Sequence, residues 1–138
     1  MQKTLRIKND TSELSVMNRF LEEAGEELGL STPFMMSLNL VLEEAVSNII
    51  FYAYVGQEVK DAVDISLLLE GGILTVIVRD HGIPFDPTAK EDPDITLSAE
   101  ERPIGGLGIF LIKKIMDEVS YRREDGQNVF IMKKRITK

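Results

Sequence analysis

Glu44 and Asn48 have side chains that could take part in chemistry. They lie four residues apart in a predicted helix, so they project from one face about one turn apart. A carboxylate can act as a general base, and an asparagine oxygen beside it suits a hard cation such as Mg²⁺. The pair would also fit an ordinary amphipathic helix whose polar side chains face water.

Two further clusters lie later in the chain. Asp80-His81-Gly82 ends a predicted strand, where the aspartate could accept a hydrogen bond from a ligand, although Asp-x-Gly is also a common turn signature. Gly105-Gly106-Leu107-Gly108 precedes a predicted helix. Glycines let the backbone approach a phosphate at a helix N-terminus, but a flexible turn would have the same composition. His81 has no neighbouring His or Cys, and we interpret it as structural or solvent-facing and not as a ligand.

Hydrophobic periodicity and turn residues predict the elements that position these clusters. The order is a strand, two helices, a hairpin, a long loop, a helix and a closing hairpin. The first helix has Ser12 as its N-cap and stops at Gly29. The second has Thr32 as its cap, Pro33 in its first turn, and runs to about Tyr54. The predicted strands are 4–8, 62–70, 73–79, 118–124 and 128–135.

This order predicts an α+β fold, a two-layer α/β sandwich in which a mixed, mostly antiparallel sheet has helices on one face. The strands do not alternate one-for-one with helices, which argues against a doubly wound nucleotide-binding fold. The loop from Gly82 to Pro103 is rich in proline and charge, with no sustained period. A connection of that length in a compact domain is typical of a lid, which we place at about 86–104.

Composition narrows the class of protein. With 138 residues, the chain is expected to form a single domain, 1–138. It has no Cys, which excludes disulfides and thiolate metal sites. We find no signal sequence and no apolar run approaching about 20 residues, so a cytoplasmic protein without a membrane segment is expected. The net charge of −7 argues against direct binding of nucleic acid.

Taken together and in this order, the three clusters resemble the motifs of GHKL-type ATPases (the Bergerat fold), and within them the bacterial anti-sigma-factor serine/threonine kinases. Glu44-Ala45-Val46-Ser47-Asn48 is similar to the N box of that family. Asp80-His81-Gly82 is similar to its first glycine box, and Gly105-Gly106-Leu107-Gly108-Ile109 to its second. The glutamate before Asn48, and the lack of a dimerisation helix with a phosphoacceptor histidine, favour the small-kinase branch over a sensor histidine kinase.

The resemblance implies how ATP would be held. Asn48 would bind the Mg²⁺ that bridges the phosphates, Asp80 would accept from the adenine amino group, and Gly82 would keep the adenine pocket open. The phosphates would be wrapped by the second glycine box, which comprises Gly105, Gly106 and Gly108 with the backbone N–H groups around Leu107 and Ile109.

The resemblance also implies a catalytic role for Glu44, which would orient and deprotonate a serine or threonine hydroxyl of a partner protein. Arg102, near the end of the lid, could reach the terminal phosphate. Two departures from the family pattern are Ile83-Pro84-Phe85-Asp86, where a second glycine is common, and Gln127-Asn128, where a Gly-Thr pair often lies. Asn128 could supply a polar group there.

The implied activity is that of an ATP- and Mg²⁺-dependent serine/threonine protein kinase acting as an anti-sigma regulatory factor. It would sequester a sigma factor and phosphorylate an anti-sigma-factor antagonist of the STAS-like type, and it would form a homodimer. A rival interpretation is a non-catalytic ATP-binding module of the same fold that uses ATP only to order its lid and switch partners. A third is the detached ATPase domain of a histidine phosphorelay.

Overall fold

The computed structural model describes residues 2–54, 62–89 and 106–136. Its main elements follow the predicted order: β1 (Gln2–Ile7), α1 (Leu14–Leu28), α2 (Thr32–Asn48), β2 (Val63–Glu70), β3 (Ile73–Asp80), α3 (Gly106–Ile115), β4 (Glu118–Glu124) and β5 (Gln127–Arg135). The predicted lid falls mostly outside the described residues. Only its start is seen, where Pro87–Ala89 forms a short 3₁₀ turn.

The five strands form one sheet in the order β1-β2-β3-β5-β4. Alternate β3 residues Leu74, Val76 and Val78 are fully buried, whereas the residues between them are half-buried. One face of the sheet is therefore covered by the helices, which gives the two-layer α+β fold that the sequence predicts. Each pairing among the described strands is antiparallel, so in this part of the chain the sheet is not mixed.

The caps of the first two helices differ from those predicted. Asp10, not Ser12, is the cap before α1: its Oδ1 accepts from the Ser12 N–H at 3.0 Å and begins a 3₁₀ turn, Thr11–Glu13, that leads into the helix. Glu13, the N-cap of α1 itself, makes no side-chain capping hydrogen bond. Ser31, not Thr32, caps α2 and accepts from the Phe34 N–H at 3.3 Å. A capping residue needs an extended backbone, and in each case a neighbour with equivalent chemistry has it. Gly29 ends α1 in the left-handed conformation, as predicted.

Beyond Asn48, helix α2 continues as a π-helical segment, Ile49–Ala53. Together, Thr32–Ala53 is long and apolar enough to cross a membrane by length and composition, which the sequence reading did not anticipate. The core helix of a globular domain passes the same test. Leu38, Leu42 and Val46 of this helix are fully buried in the core that α2 shares with the sheet.

Candidate functional site

Asp80, the last residue of β3, is a carboxylate that is only 2% exposed. Its Oδ1 accepts two hydrogen bonds of 2.9 Å, one from the Asn128 Nδ2 and one from the Gly82 N–H. Burial raises the pKa of Asp80, and these hydrogen bonds and the nearby Arg123 oppose that rise. Both donors found in the described part of the chain reach the same oxygen. Oδ2 is therefore left to accept from a ligand.

Asn128 lies directly opposite Asp80 in the β3–β5 register, and its whole carboxamide is engaged. The Nδ2 donates to Asp80 and also to the Ile83 carbonyl, at 2.8 Å. The Oδ1 accepts from the Tyr121 hydroxyl at 2.5 Å and from the Phe85 N–H at 3.2 Å. Two donated and two accepted bonds saturate a carboxamide. Asn128 is thus the polar centre of this end of the sheet.

Gly82 packs closely against the π-helical end of α2. A Cβ built at Gly82 would lie 2.7 Å from both the carbonyl carbon and the Cβ of Ala53. The next residue, Ile83, donates its N–H to the Ala53 carbonyl at 3.0 Å. On the other side, Arg123 donates from Nη1 to the Gly82 carbonyl at 2.8 Å. The Asp-x-Gly turn is thus held in place by both the helix and β4.

Replacing Gly82 with alanine is expected to destabilise the fold. Two of the three nearest atoms to the new methyl group belong to the Ala53 backbone, so no side-chain rotation relieves the overlap. Such overpacking costs about 1–3 kcal/mol, which urea unfolding can measure. Ile83→Ala, at a side chain that is 61% exposed, is the control and should stay within about 0.5 kcal/mol of the wild type. Unchanged stability of Gly82→Ala would contradict the close contact.

Glu44 lies against the first turn of α3. A Cβ built at Gly108 would be 3.3 Å from the Glu44 Cδ and closer still to its Oε2. One turn further along α2, Asn48 lines a small cavity with Ile112 of α3 and Asn128 of β5. Glu44 and Asn48 are both half-buried. They therefore lie at the junction of α2 with α3, and not on the open outer face of an amphipathic helix.

The cavity beside Asn48 has a volume of about 20 Å³. That is room for a water molecule and not for a purine base. Phe85 forms part of its wall and stacks on Tyr52, with ring centroids 5.9 Å apart. A base could enter only if this wall moved. The lining combines helix, sheet and the segment after Gly82, and consists of Ala45, Asn48, Ile49, Phe85, Pro87, Ile112, Tyr121, Asn128 and Phe130.

Helix α3 begins at Gly106, so Gly106, Leu107 and Gly108 form its first turn and Ile109 is the fourth residue. The N–H groups of a first turn have no partner within the helix, and they are available to an anion. The Ile109 side chain is buried in the core at 1% exposure, so only its backbone could approach a ligand. Gly105 and Arg102 lie outside the described residues, and their roles remain predictions.

The structure places Asp80 and Gly82 at the end of β3, where Asp80 bonds to the cavity-lining Asn128. Glu44, Asn48 and Gly108 lie at the α2–α3 junction. Within residues 2–54, 62–89 and 106–136, no group of three or more acidic or histidine side chains could hold a metal ion. A Mg²⁺ held by Asn48 would therefore depend on phosphate oxygens and water for its other ligands. That fits the usual preference of this ion, which keeps several waters and few protein ligands.

Sequence reasoning missed three aromatic residues of this site. Tyr121 and Phe85 bond to Asn128, and the hydroxyl of Tyr54 links β3 to the chain before β2. That hydroxyl accepts from the His81 N–H and donates to the Ala62 carbonyl, each at 2.6 Å. Aromatic residues at the ends of elements usually belong to the core, and no local pattern distinguishes these three.

The chain combines a buried carboxylate at the end of β3, a helix that begins with glycines and an antiparallel sheet covered on one face, which is consistent with an ATPase domain of the histidine kinase type. The chain belongs to the histidine kinase-like ATPase domain family, whose model matches residues 7–134. The predicted resemblance to that superfamily is confirmed.

Two relatives of the chain are named as protein kinases. Serine-protein kinase RsbW of Listeria monocytogenes is 30% identical over 134 residues, which cover 94% of this chain and 85% of that protein. Serine/threonine-protein kinase BtrW of Bordetella bronchiseptica is 30% identical over 128 residues, which cover 88% and 89% of the two chains. The predicted likeness to the small serine/threonine kinases is therefore also confirmed.

Two solved structures share the fold. The RsbU and RsbW domains of Rv1364c from Mycobacterium tuberculosis match 100% of this chain and 33% of that longer one, with a TM-score of 0.73 and 14% identity. The SiaB–SiaC complex from Pseudomonas aeruginosa matches 97% of this chain and 88% of the other, with a TM-score of 0.59 and 16% identity. At these identities the likeness establishes the fold alone.

Proposed function

We propose that the chain is an ATP-dependent serine/threonine protein kinase that acts as an anti-sigma regulatory factor. The observation that carries the proposal is the contact of Glu44 with Gly108. It puts a carboxylate beside the first turn of α3, where free N–H groups would hold the phosphates of a nucleotide. The names of the relatives RsbW and BtrW, which are serine or serine/threonine kinases, support the same activity.

In the proposed complex, the base of ATP is recognised by Asp80 and the phosphates by the second glycine box. Asp80 accepts from the adenine amino group, and Gly82 keeps that end of the pocket open. Asn48 would hold Mg²⁺, which would supply positive charge to neutralise the phosphates. Arg102 approaches the terminal phosphate from the lid. The other contacts to phosphate come from Gly105, Gly106, Leu107, Gly108 and Ile109, through backbone N–H groups.

The transfer step requires little covalent chemistry from the protein. Glu44 takes the proton of the acceptor hydroxyl while that oxygen bonds to the terminal phosphorus, and the bond from phosphorus to the ADP oxygen breaks. Because the transition state is loose, most of the catalysis is positioning and neutralisation of charge. One carboxylate, one metal ion and the α3 N–H groups can supply both.

The proposed partners are an anti-sigma-factor antagonist of the STAS-like type, which carries the acceptor hydroxyl, and a sigma factor. A phosphate adds about −1.5 to −2 charges to the antagonist, enough to disrupt a packed interface and release it. The fold neighbour SiaB forms a complex with SiaC, which is consistent with a fold that binds a protein partner. We also propose a homodimer, with α1 or the sheet edge as its surface, in the cytoplasm.

A second candidate function is a non-catalytic module in which ATP only switches partners. Movement of the wall formed by Phe85 and Pro87 would be the switch in that case, because a base can enter the cavity only if this wall moves. Entry of the nucleotide would then change the surface near the lid without any transfer.

Calorimetry of Mg²⁺-ATP binding, followed by labelled ATP with the antagonist-like protein encoded nearest to the chain, tests the proposal. Binding, with label on a serine or threonine of that protein, is expected. Asn48→Ala should lose the dependence of binding on Mg²⁺. Asn39→Ala is the matched control, since Asn39 lies on the same helix but lines the groove between α1 and α2.

Transfer of label to the partner separates the two candidate functions. Binding without label would favour the non-catalytic module. No binding of ATP by the wild type would contradict both, and Mg²⁺-dependent binding retained by Asn48→Ala would remove Asn48 as the metal ligand.

A further inference from the structure

The carboxamide of Asn128 joins two parts of the site that have separate roles in the proposed function. One part is Asp80, the proposed acceptor for the base. The other is the segment from Ile83 to Phe85, which leads into the lid region. Asn128 itself is 3% exposed, and its four hydrogen bonds run to both parts and to Tyr121.

We propose that Asn128 is a positioning residue that sets selectivity for adenine, because it orients the Asp80 carboxylate and ties that orientation to the segment 83–85. The inference rests on the proposed binding of ATP and deepens it. It assigns no direct contact between Asn128 and the nucleotide.

The orientation of Asp80 follows from where its hydrogen bonds end. Donors from Asn128 and from the Gly82 N–H, each at 2.9 Å, reach Oδ1 from the facing strand and from the following turn. A carboxylate held at one oxygen from two sides cannot rotate freely about its last torsion. Oδ2 is then presented in one direction, as recognition of a single amino group requires. Without the Asn128 donor, the Gly82 N–H alone would hold the carboxylate.

The link to the segment 83–85 follows because every hydrogen-bond donor and acceptor of the Asn128 carboxamide is already used. The Nδ2 of Asn128 donates to both Asp80 and Ile83, and its Oδ1 accepts from Phe85. Since no donor or acceptor capacity is left over, a movement of Phe85 must break or shift a bond of the same amide. Phe85 also forms part of the cavity wall that a base has to displace. Entry of the base and the orientation of Asp80 are therefore coupled through one side chain.

The test compares ATP with inosine triphosphate, which carries a carbonyl oxygen where adenine carries its amino group and a hydrogen on the neighbouring ring nitrogen N1, with the same ribose and phosphates. Dissociation constants are measured by calorimetry for the wild type and for Asn128→Asp. This variant keeps the size of the side chain but loses both donors. We expect the wild type to prefer ATP by about ten- to a hundredfold, as one hydrogen bond to a charged group provides. In Asn128→Asp that ratio should fall to near one.

A second variant separates positioning from folding. Asn128→Thr keeps one hydroxyl donor opposite Asp80 and suits a strand, so it should recover part of the preference for ATP. Gln2→Glu adds the same charge at the opposite end of the sheet, where Gln2 is exposed and pairs with Leu68, and it is the control for charge. Circular dichroism with a thermal scan establishes that each variant is folded. If Asn128→Asp does not fold, the ratio in Asn128→Thr relative to the wild type still decides the question.

The outcomes are distinct. Failure of the wild type to bind ATP would contradict the proposed function itself. A wild type that binds ATP and inosine triphosphate equally would overturn the inference, as would a preference unchanged in Asn128→Asp. Equal weakening of both nucleotides would identify a merely structural role and would overturn it too. Loss of the preference in Asn128→Asp, with partial recovery in Asn128→Thr, is the expected result.

Discussion

Replacing Glu44 with glutamine is expected to slow phosphoryl transfer by about 10²–10⁴-fold, the usual contribution of a positioned general base. Glutamine has the same size and still fits against Gly108, whose missing side chain leaves the space that Glu44 occupies. Its amide cannot take the proton of the acceptor hydroxyl. Binding of ATP should be unchanged, because the proposed contacts to base, metal and phosphates come from other residues.

The rate is measured as label transferred to the antagonist at saturating ATP, and binding by calorimetry on the same samples. Glu43→Gln is a closely matched control, since Glu43 is the adjacent residue on α2 and is also half-buried. It should transfer at the wild-type rate. Transfer by Glu44→Gln at that same rate would remove Glu44 as the base, whereas loss of both transfer and ATP binding would point to a role in holding the nucleotide.

Replacing Asp80 with asparagine is expected to weaken ATP binding by at least about tenfold. The amide can keep its oxygen toward the Gly82 N–H and Asn128, but it then presents an NH₂ group to the adenine amino group, so two donors face each other. Burial raises the pKa of Asp80, so the folded state disfavours the ionised form. The stability contributed by this group is therefore highest at low pH and is lost as pH rises through its raised pKa.

Two consequences of the raised pKa of Asp80 can be measured. Asp80→Asn should be no less stable than the wild type at neutral pH, so that its loss of affinity cannot be ascribed to unfolding. The ATP affinity of the wild type should also decline on acidification, at a pH above the ordinary aspartate pKa of 3.8. Asp64→Asn makes the same change at a half-buried aspartate of β2 that pairs with Arg6, and it should bind ATP normally. Tight binding by Asp80→Asn would exclude Asp80 as the adenine acceptor.

Most of the order of helices and strands could be predicted, because each turn or helix signal lies within a short stretch of the sequence. Gly71-Gly72 and Asp125-Gly126 form the two predicted hairpin turns, and the structure has positive φ at all four of these residues. The spacing of Glu44 and Asn48 likewise placed both on one face of α2. The exact caps were not predictable, because Asp10 and Ser12, or Ser31 and Thr32, offer the same chemistry and differ only in backbone dihedrals.

The arrangement of the candidate site was less predictable because it depends on contacts between distant segments. Asn128 and Asp80 are 48 residues apart, and only the register of β3 with β5 places them opposite each other. The contact of Gly82 with Ala53 depends on the π-helical end of α2, for which the sequence has no marker that we recognised. Motifs could be named from the sequence, but the bonds between them could not.

The pairing of Asp80 with Asn128 also bears on how the protein assembles. β2 with β3 and β4 with β5 are local hairpins, whereas the ladder between β3 and β5 joins the two halves of the sheet. Contacts between residues so distant in sequence form late, because closing a long loop costs entropy before any contact repays it. A nucleotide at this site would bind only the completed fold. Its binding free energy would therefore add to the free energy of unfolding of the whole domain.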